Sequence, residues 1–225
     1  MPEETPRVRK DPGPSRRTPA CRATPATQSS TASRSAAAPD HWSRALLHRW
    51  PTALALALMI ALFGSGSGDL NDTVTGYGEL LPLLPLLYVV VGQTGRPGVT
   101  WPALGAGTVA VLALQAQDVL SPSHVLVGVA LAVLLWGTVR GAPHGRATLG
   151  IQAAGTLAFG AFALAGLAVD PELGRHLVAA GWFLHGVWDL AHLLLARLGG
   201  VVARTFAEWC AVVDVLVAVE LVFLR

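Results

Sequence analysis

From residue 50 onward the chain alternates long apolar stretches with short polar ones. Seven stretches, at about 50–68, 75–92, 99–117, 120–139, 149–169, 177–195 and 206–224, each come near the ~20 residues that a helix needs to cross a ~30 Å hydrocarbon layer. The shortest strictly apolar runs are Thr52–Phe63 and Leu80–Val91. The second contains Pro82 and Pro85. Proline is tolerated in a spanning helix where neighbours satisfy the freed carbonyls, so Leu81-Pro82-Leu83-Leu84-Pro85 predicts a kink rather than a break. The first stretch also has the look of a signal sequence, with Arg44 and Arg49, a short apolar core and then Gly64-Ser65-Gly66-Ser67-Gly68. About fifty residues precede it and no clear small-x-small site follows, so an uncleaved anchor is expected.

Residues 1–40 are rich in Pro, Ser, Thr, Ala and Arg and nearly devoid of large apolar side chains, too few to offset the entropy of ordering. They are expected to form a disordered cytoplasmic tail, leaving 41–225 as the transmembrane helical domain.

The connections between stretches predict orientation, because Lys and Arg collect on the cytoplasmic side. With the N-terminus inside, the inner segments hold the nine basic residues before position 51 together with Arg96, Arg140, Arg146, Arg197 and Arg204, and only Arg175 and Arg225 fall outside. The outer loops carry Asp69, Asp72, Asp118, Asp170 and Glu172. The pattern therefore predicts an all-α integral membrane protein, a bundle of about seven transmembrane helices with a cytoplasmic N-terminus, in a bacterial-type cytoplasmic cell membrane.

Composition agrees with this and removes other classes. The chain is 52% hydrophobic and 13% charged, with a mean hydropathy of +0.52, whereas a soluble domain carries about 25% charged residues. Two cysteines, Cys21 and Cys210, support neither a disulfide framework nor a paired-cysteine metal site. The net charge of +2 conceals a basic N-terminal segment and an acidic remainder. Arginine outnumbers lysine fifteen to one beside heavy Ala, Gly and Val use, which reflects coding bias and not a nucleic-acid surface. No nucleic-acid partner is expected. The lipid bilayer is, with a second copy or a membrane partner subunit as further candidates. In the fifth stretch Ala154, Ala158, Ala161, Ala165 and Ala168 recur at steps of four and three, a stripe that predicts close approach of a neighbouring helix. Trp42, Trp50 and Trp101 lie near predicted interfaces, where indole rings anchor.

Ionisable residues within the bilayer are costly, about 2.5–3.5 kcal/mol for Asp at a helix centre on insertion scales, and point to function. Here they gather at the C-terminal end. His185, Asp189 and His192 stand at i, i+4 and i+7, on one stripe of the stretch 177–195. The next stretch returns after Leu198-Gly199-Gly200 and carries Glu208, Cys210, Asp214 and Glu220. At ~1.5 Å per residue from the outer ends, His185 lies ~12 Å deep and Asp214 ~15 Å, so Asp214 is expected to face His185 or Asp189, with Cys210 on its own helical face. Glu208 and Glu220 fall near the two boundaries, where snorkelling keeps a charge wet.

Three chemistries suit this cluster: hydrogen-bonded glue between helices, a proton or ion path, and a metal site in which His185, Asp189, His192 and Asp214 hold a divalent ion such as Zn²⁺. The several histidine clusters of a membrane di-iron oxidase are absent, as are a Ser-His-Asp arrangement, a phosphate loop and a dinucleotide fingerprint. His124, His144 and His176 read as surface histidines, and Gln115, Gln117 and Gln152 as residues near helix ends. Glu79, beside Tyr77, is a candidate mouth for a path to the cluster. The functional expectation is proton-linked transport or sensing of a small solute. The alternatives are a metal-dependent membrane enzyme acting on a lipid or apolar substrate, and a structural partner subunit of a membrane complex.

Overall fold

In a computed structural model the described residues are 49–65, 69–117, 119–196 and 198–223. The expectations for the tail 1–40 and for Cys21, Trp42, Arg44, Gly66-Ser67-Gly68, Asp118, Arg197 and Arg225 fall outside them. Among the described residues there is no strand. The helices are α1 (Trp50–Ser65), α2 (Leu70–Leu80), α3 (Leu83–Thr94), a 3₁₀ turn (Pro97–Val99) leading into α4 (Thr100–Gln117), α5 (Pro122–Arg140), α6 (Arg146–Ala168), α7 (Pro171–Leu194) and α8 (Arg204–Phe223).

Local chemistry sets these boundaries. α7 starts where Asp170 accepts a hydrogen bond from the Leu173 amide at 3.1 Å, with Pro171 in the first turn, where its missing N–H costs nothing. Ser121-Pro122 opens α5 in the same order, though without a side-chain cap bond. α3 ends at Gly95, whose φ of 63° is the left-handed conformation that glycine adopts freely. Gly200, at φ 87°, lies in the turn that sends α8 back along α7.

Pro82 and Pro85 act as the sequence predicts. Leu81 and Pro82 both keep right-handed helical angles, yet the ladder is interrupted, and Leu81 O takes a tightened bond from Leu84 N at 3.3 Å in place of one from Pro85. α2 and α3 thus form a single distorted unit, Leu70–Thr94, long and apolar enough to cross a membrane.

Five segments meet that standard: Leu70–Thr94, Pro97–Gln117, Pro122–Arg140, Arg146–Ala168 and Pro171–Leu194. Two of the seven predicted stretches do not. α1 is short, and α8, though 20 residues long, carries Glu208, Asp214 and Glu220. Each of those acids has a partner. Glu208 accepts from Thr52 Oγ1 at 2.7 Å and pairs with Arg49 at 3.5 Å, Asp214 meets His185, and Glu220 accepts from Tyr77 Oη at 2.6 Å. Glu208 and Glu220 are therefore satisfied by the protein rather than by snorkelling, and they tie α8 to α1 at one end and to α2 at the other.

The distribution of polarity is inverted relative to a water-soluble globule. Ile60, Val109, Leu112, Leu135, Val139 and Leu157 are exposed, while Thr100, Ser123, Gln152, Thr156, His185, Asp189, His192 and Asp214 are buried. Apolar surface on this scale suits lipid, where no hydrophobic force drives helices together and polar or small-residue contacts do so instead. α3 is apolar all round and sits inside, packed against α4, α5 and α6, with Tyr88 fully buried. α8 lies along α7, and α1 along α8.

The alanine stripe does not mediate the close approach that its spacing suggests. Ala154, Ala158, Ala161, Ala165 and Ala168 are all exposed. The packed face of α6 is Gln152, Gly155, Thr156, Phe159, Gly160, Ala163 and Gly166, and its glycines make the tight contacts: a Cβ on Gly155 would stand 3.0 Å from the Trp188 ring, and one on Gly166 2.6 Å from Val178. Trp101 is likewise more than an anchor. Its Nε1 donates to Thr205 at 3.1 Å, and its ring packs on Trp50, Phe206 and Trp209.

A Cβ on Gly174 would lie 2.5 Å from the carbonyl oxygen of Gly166, a backbone atom with no room to yield, whereas one on Gly150 meets nothing within 4 Å. Gly174→Ala should therefore destabilise the protein by about 1–3 kcal/mol, and Gly150→Ala should be neutral or slightly stabilising. Thermal unfolding of the two variants in detergent checks the contrast.

Candidate functional site

α7 and α8 bring the polar residues together because the backbone between them is bare. Gly186 follows His185, and a Cβ there would sit 3.2 Å from Asp214 Cβ and 3.4 Å from the Ala211 carbonyl oxygen. Alanine at 186 would already need Asp214 to give way slightly, and a bulkier residue would need more. With glycine in place, His185 Nδ1 lies 2.8 Å from Asp214 Oδ2 and 3.2 Å from Asp189 Oδ2. A carboxylate can only accept, so the imidazole donates from Nδ1 unless one of the carboxyls keeps its own proton. One N–H follows one line, and it favours the nearer oxygen. Asp189 Oδ2 then stands within ion-pair distance with no hydrogen bond of its own, and His185 Nε2 also lacks a partner among the described residues.

The contacts continue on both sides. The Tyr88 hydroxyl donates to Asp189 Oδ1, and the Cys210 thiol lies 3.8 Å from Asp214 Oδ1. These contacts join Cys210, Asp214, His185, Asp189 and Tyr88 into one cluster, drawn from α8, α7 and α3, each with no solvent exposure. Ligating atoms of His185, Asp189, Cys210 and Asp214 all lie within 4.8 Å of one another.

Charge counting constrains this centre. Two ionised carboxylates with one imidazolium leave a net charge of −1 in a setting that solvates ions poorly. Neutrality requires a further proton on a carboxyl, or a dication in place of the shared proton.

The expected convergence of His185, Asp189 and Asp214 is present in the structure, and Cys210 shares the Asp214 face as its i−4 spacing suggests. His192 does not join the group. One turn deeper, its Nε2 lies 3.1 Å from Gln152 Nε2 and its Nδ1 2.9 Å from the Trp188 carbonyl oxygen, while its ring meets that of Tyr88 at a tilt of 53°, 4.6 Å between centroids. Glu79 accepts from Gln115 at 3.1 Å on the exposed side. His124 and His176 are exposed as expected, and half-buried His144 reaches the Gly92 carbonyl oxygen at 3.3 Å.

Three participants carry no such motif. Tyr88 is the one polar side chain in the run Leu80–Val91, which is the signal that marks it. Gln152, near the end of α6, is buried against His192 and not solvated. Phe159 packs on the His185 ring at 4.8 Å. Between these two on the same face, Thr156 is buried with an unpartnered hydroxyl. Since Gln152 meets His192 and Phe159 meets His185, the antiparallel register sets Thr156 level with Trp188 and Asp189.

No family model matches the chain, nor does any curated protein or any solved structure.

Tyr88→Phe removes a hydroxyl and leaves Asp189 Oδ1 buried without a donor. In a double-mutant cycle with Asp189→Asn, read by thermal or denaturant unfolding, the two positions should couple by about 1–2 kcal/mol, at the upper end of interhelical polar contacts. Additive effects would mean that the hydrogen bond contributes nothing.

Proposed function

We propose that the protein is a seven-span protein of a cell membrane, N-terminus cytoplasmic, in which the His185 centre takes up and releases a proton in step with the binding or passage of a small solute. The observation that carries this reading is the buried cluster of Cys210, Asp214, His185, Asp189 and Tyr88. One imidazole nitrogen stands between two carboxylates, so a proton can be exchanged among three acceptors over contacts of 2.8 and 3.2 Å. The missing charge at the centre favours uptake of one more proton, and the cost of the unneutralised state makes that uptake sensitive to whatever enters the site.

Seven spans follow if α1 and α8 cross with the other five. α8 runs beside α7 along its length, its three acids are each partnered inside the protein, and α1 is fastened to it through Thr52 and Glu208. The placement of fourteen basic residues on alternate connections supports the cytoplasmic N-terminus. Reporter fusions near residues 96, 143 and 200 should report the cytoplasm, and fusions near 71, 121 and 173 the exterior.

A second reading rests on the four ligating groups within 4.8 Å. His185, Asp189, Asp214 and Cys210 supply the donor types and number of a tetrahedral Zn²⁺ site; a dication neutralises the two carboxylates, and the Cys210 thiolate that a zinc ligand must be leaves the set at −1. A metal-bound histidine, however, almost always donates its second ring N–H to a carboxylate, carbonyl or water. His185 Nε2 has no such acceptor among the described residues, and the Phe159 ring packs against the imidazole.

Infrared difference spectra of the purified protein between about pH 5 and pH 9 test the proton reading. A protonated-carboxyl band should appear and vanish in wild type and be lost in Asp214→Asn, with thermal stability little changed because an amide keeps most of the hydrogen bonding. Absence of any pH-dependent carboxyl band would overturn it. One zinc per chain, lost in His185→Ala and Cys210→Ala and kept in His192→Ala, would replace it by the metal reading.

A further inference from the structure

Trp50 and Trp101, in the first turns of α1 and α4, join the two helices with 5.6 Å between ring centroids. Farther along, a cavity of about 250 Å³ lies among α1, α2, α3, α4, α7 and α8. Leu58 of α1 and Thr108 of α4 border it and are both exposed, so it opens sideways onto the apolar outer surface. Each stands ~12 Å along its helix from Trp50 or Thr100. That sets the opening near the middle of a ~30 Å hydrocarbon layer, where lipid chains end.

The wall offers hydrocarbon and no free polar partner. Leu80, Leu83 and Leu84 come from the stretch around Pro82, Met59 from α1, and Val213 and Val217 from α8. Tyr77 Oη is taken by Glu220 at 2.6 Å, and the Trp182 indole N–H by the Tyr77 carbonyl oxygen at 3.1 Å. Trp209 Nε1 and the whole of Asp214 are buried and present no surface to an occupant. The Thr108 hydroxyl is the remaining polar group, and it stands at the exposed mouth. Water does not settle in such a space, because a buried water needs polar partners on several sides, whereas a dry apolar cavity of about 150 Å³ takes up benzene. An unfilled apolar space forgoes the dispersion contacts of a packed interior.

We infer that this cavity takes the end of a lipid acyl chain, which enters between α1 and α4 from the middle of the bilayer. The wall selects hydrocarbon, and the opening faces the bilayer at the depth where chain ends are the hydrocarbon at hand. A headgroup or a charged solute would leave water for a wall that returns none of its hydrogen bonds. The Thr108 hydroxyl needs nothing from the chain, since a threonine on a lipid-facing helix can bond back to the carbonyl of the preceding turn. The inference stands apart from the proton reading, because Asp214 presents no surface in the cavity.

Photolabelling tests it, on the full chain in nanodiscs of phosphatidylcholine that carries a diazirine at the chain terminus, with adducts mapped by mass spectrometry. Met59, Leu83 and Val213 line the cavity and are buried, so lipid at the outer surface cannot reach them. Adducts should form on these residues with the chain-end probe and be absent when the diazirine sits beside the ester. Thr108→Trp, at the exposed mouth where folding is least at risk, should abolish them and leave labelling of exposed Leu135 unchanged. Thr108→Val, which keeps the shape and drops the hydroxyl, should leave them unchanged. Loss of the adducts in Thr108→Val would mean that a hydrogen bond holds the occupant, and would overturn the hydrocarbon class. Labelling of wild type confined to exposed residues such as Leu112 and Leu135 would overturn the site. Adducts that survive Thr108→Trp, or form equally with both probes, would overturn entry of a chain end between α1 and α4.

Discussion

Burial of two carboxylates around a single imidazole is the constraint on which the rest of the structure depends. Stranded in an apolar interior, any one of them is ruinous, and removing one partner of such a group leaves the others unpaired at a cost of several kcal/mol. The fold meets this by proximity. Gly186 lets α8 approach α7 until His185 reaches Asp214, and the buried apolar helix α3 delivers Tyr88 to the second oxygen of Asp189. Elsewhere the same economy recurs at smaller scale: Glu208 with Thr52, Glu220 with Tyr77 and Gln152 with His192 join helices that lipid gives no other reason to associate. α1, which is too short to be held by its own apolar length, is fixed by such a contact.

How much of this was legible depends on whether the signal lay within one helix or between two. His185 and Asp189 are one turn apart, so their shared face follows from 3.6-residue periodicity, and the matched depth of Asp214 follows from counting along an antiparallel pair. Cys210 came with Asp214 for the same reason. His192 obeys the same spacing, but a shared stripe does not fix which neighbour a residue meets, and one turn deeper the neighbour is Gln152. Tyr88 lies on a helix apolar on every side, whose pattern cannot say which face meets α7.

The α6 stripe makes the point from the packing side. Small residues at steps of three and four mark a face that could be approached, and α6 has two such faces. The alanines Ala154, Ala158, Ala161, Ala165 and Ala168 face outward. The face that packs interleaves Gly155, Gly160 and Gly166 with Gln152, Thr156 and Phe159, side chains that need partners or a snug wall. The need to satisfy polar groups, and not smallness alone, selects the interface. α8 reads as an apolar stretch in the sequence despite its three acids, and their partners show how each is met inside the protein.

The central claim is that His185 Nδ1 holds a proton shared with two carboxylates and that the protonation of this unit changes near neutrality. Solid-state ¹⁵N NMR of histidine-labelled protein in lipid reads this directly, with His185→Gln assigning the signal. The account predicts a His185 ring whose Nδ1 stays protonated and strongly hydrogen-bonded, while the resonances move reversibly between about pH 5 and pH 9. A ring whose Nδ1 is bare and unshifted over that range, or one carrying the shift of a metal-bound nitrogen, would contradict it.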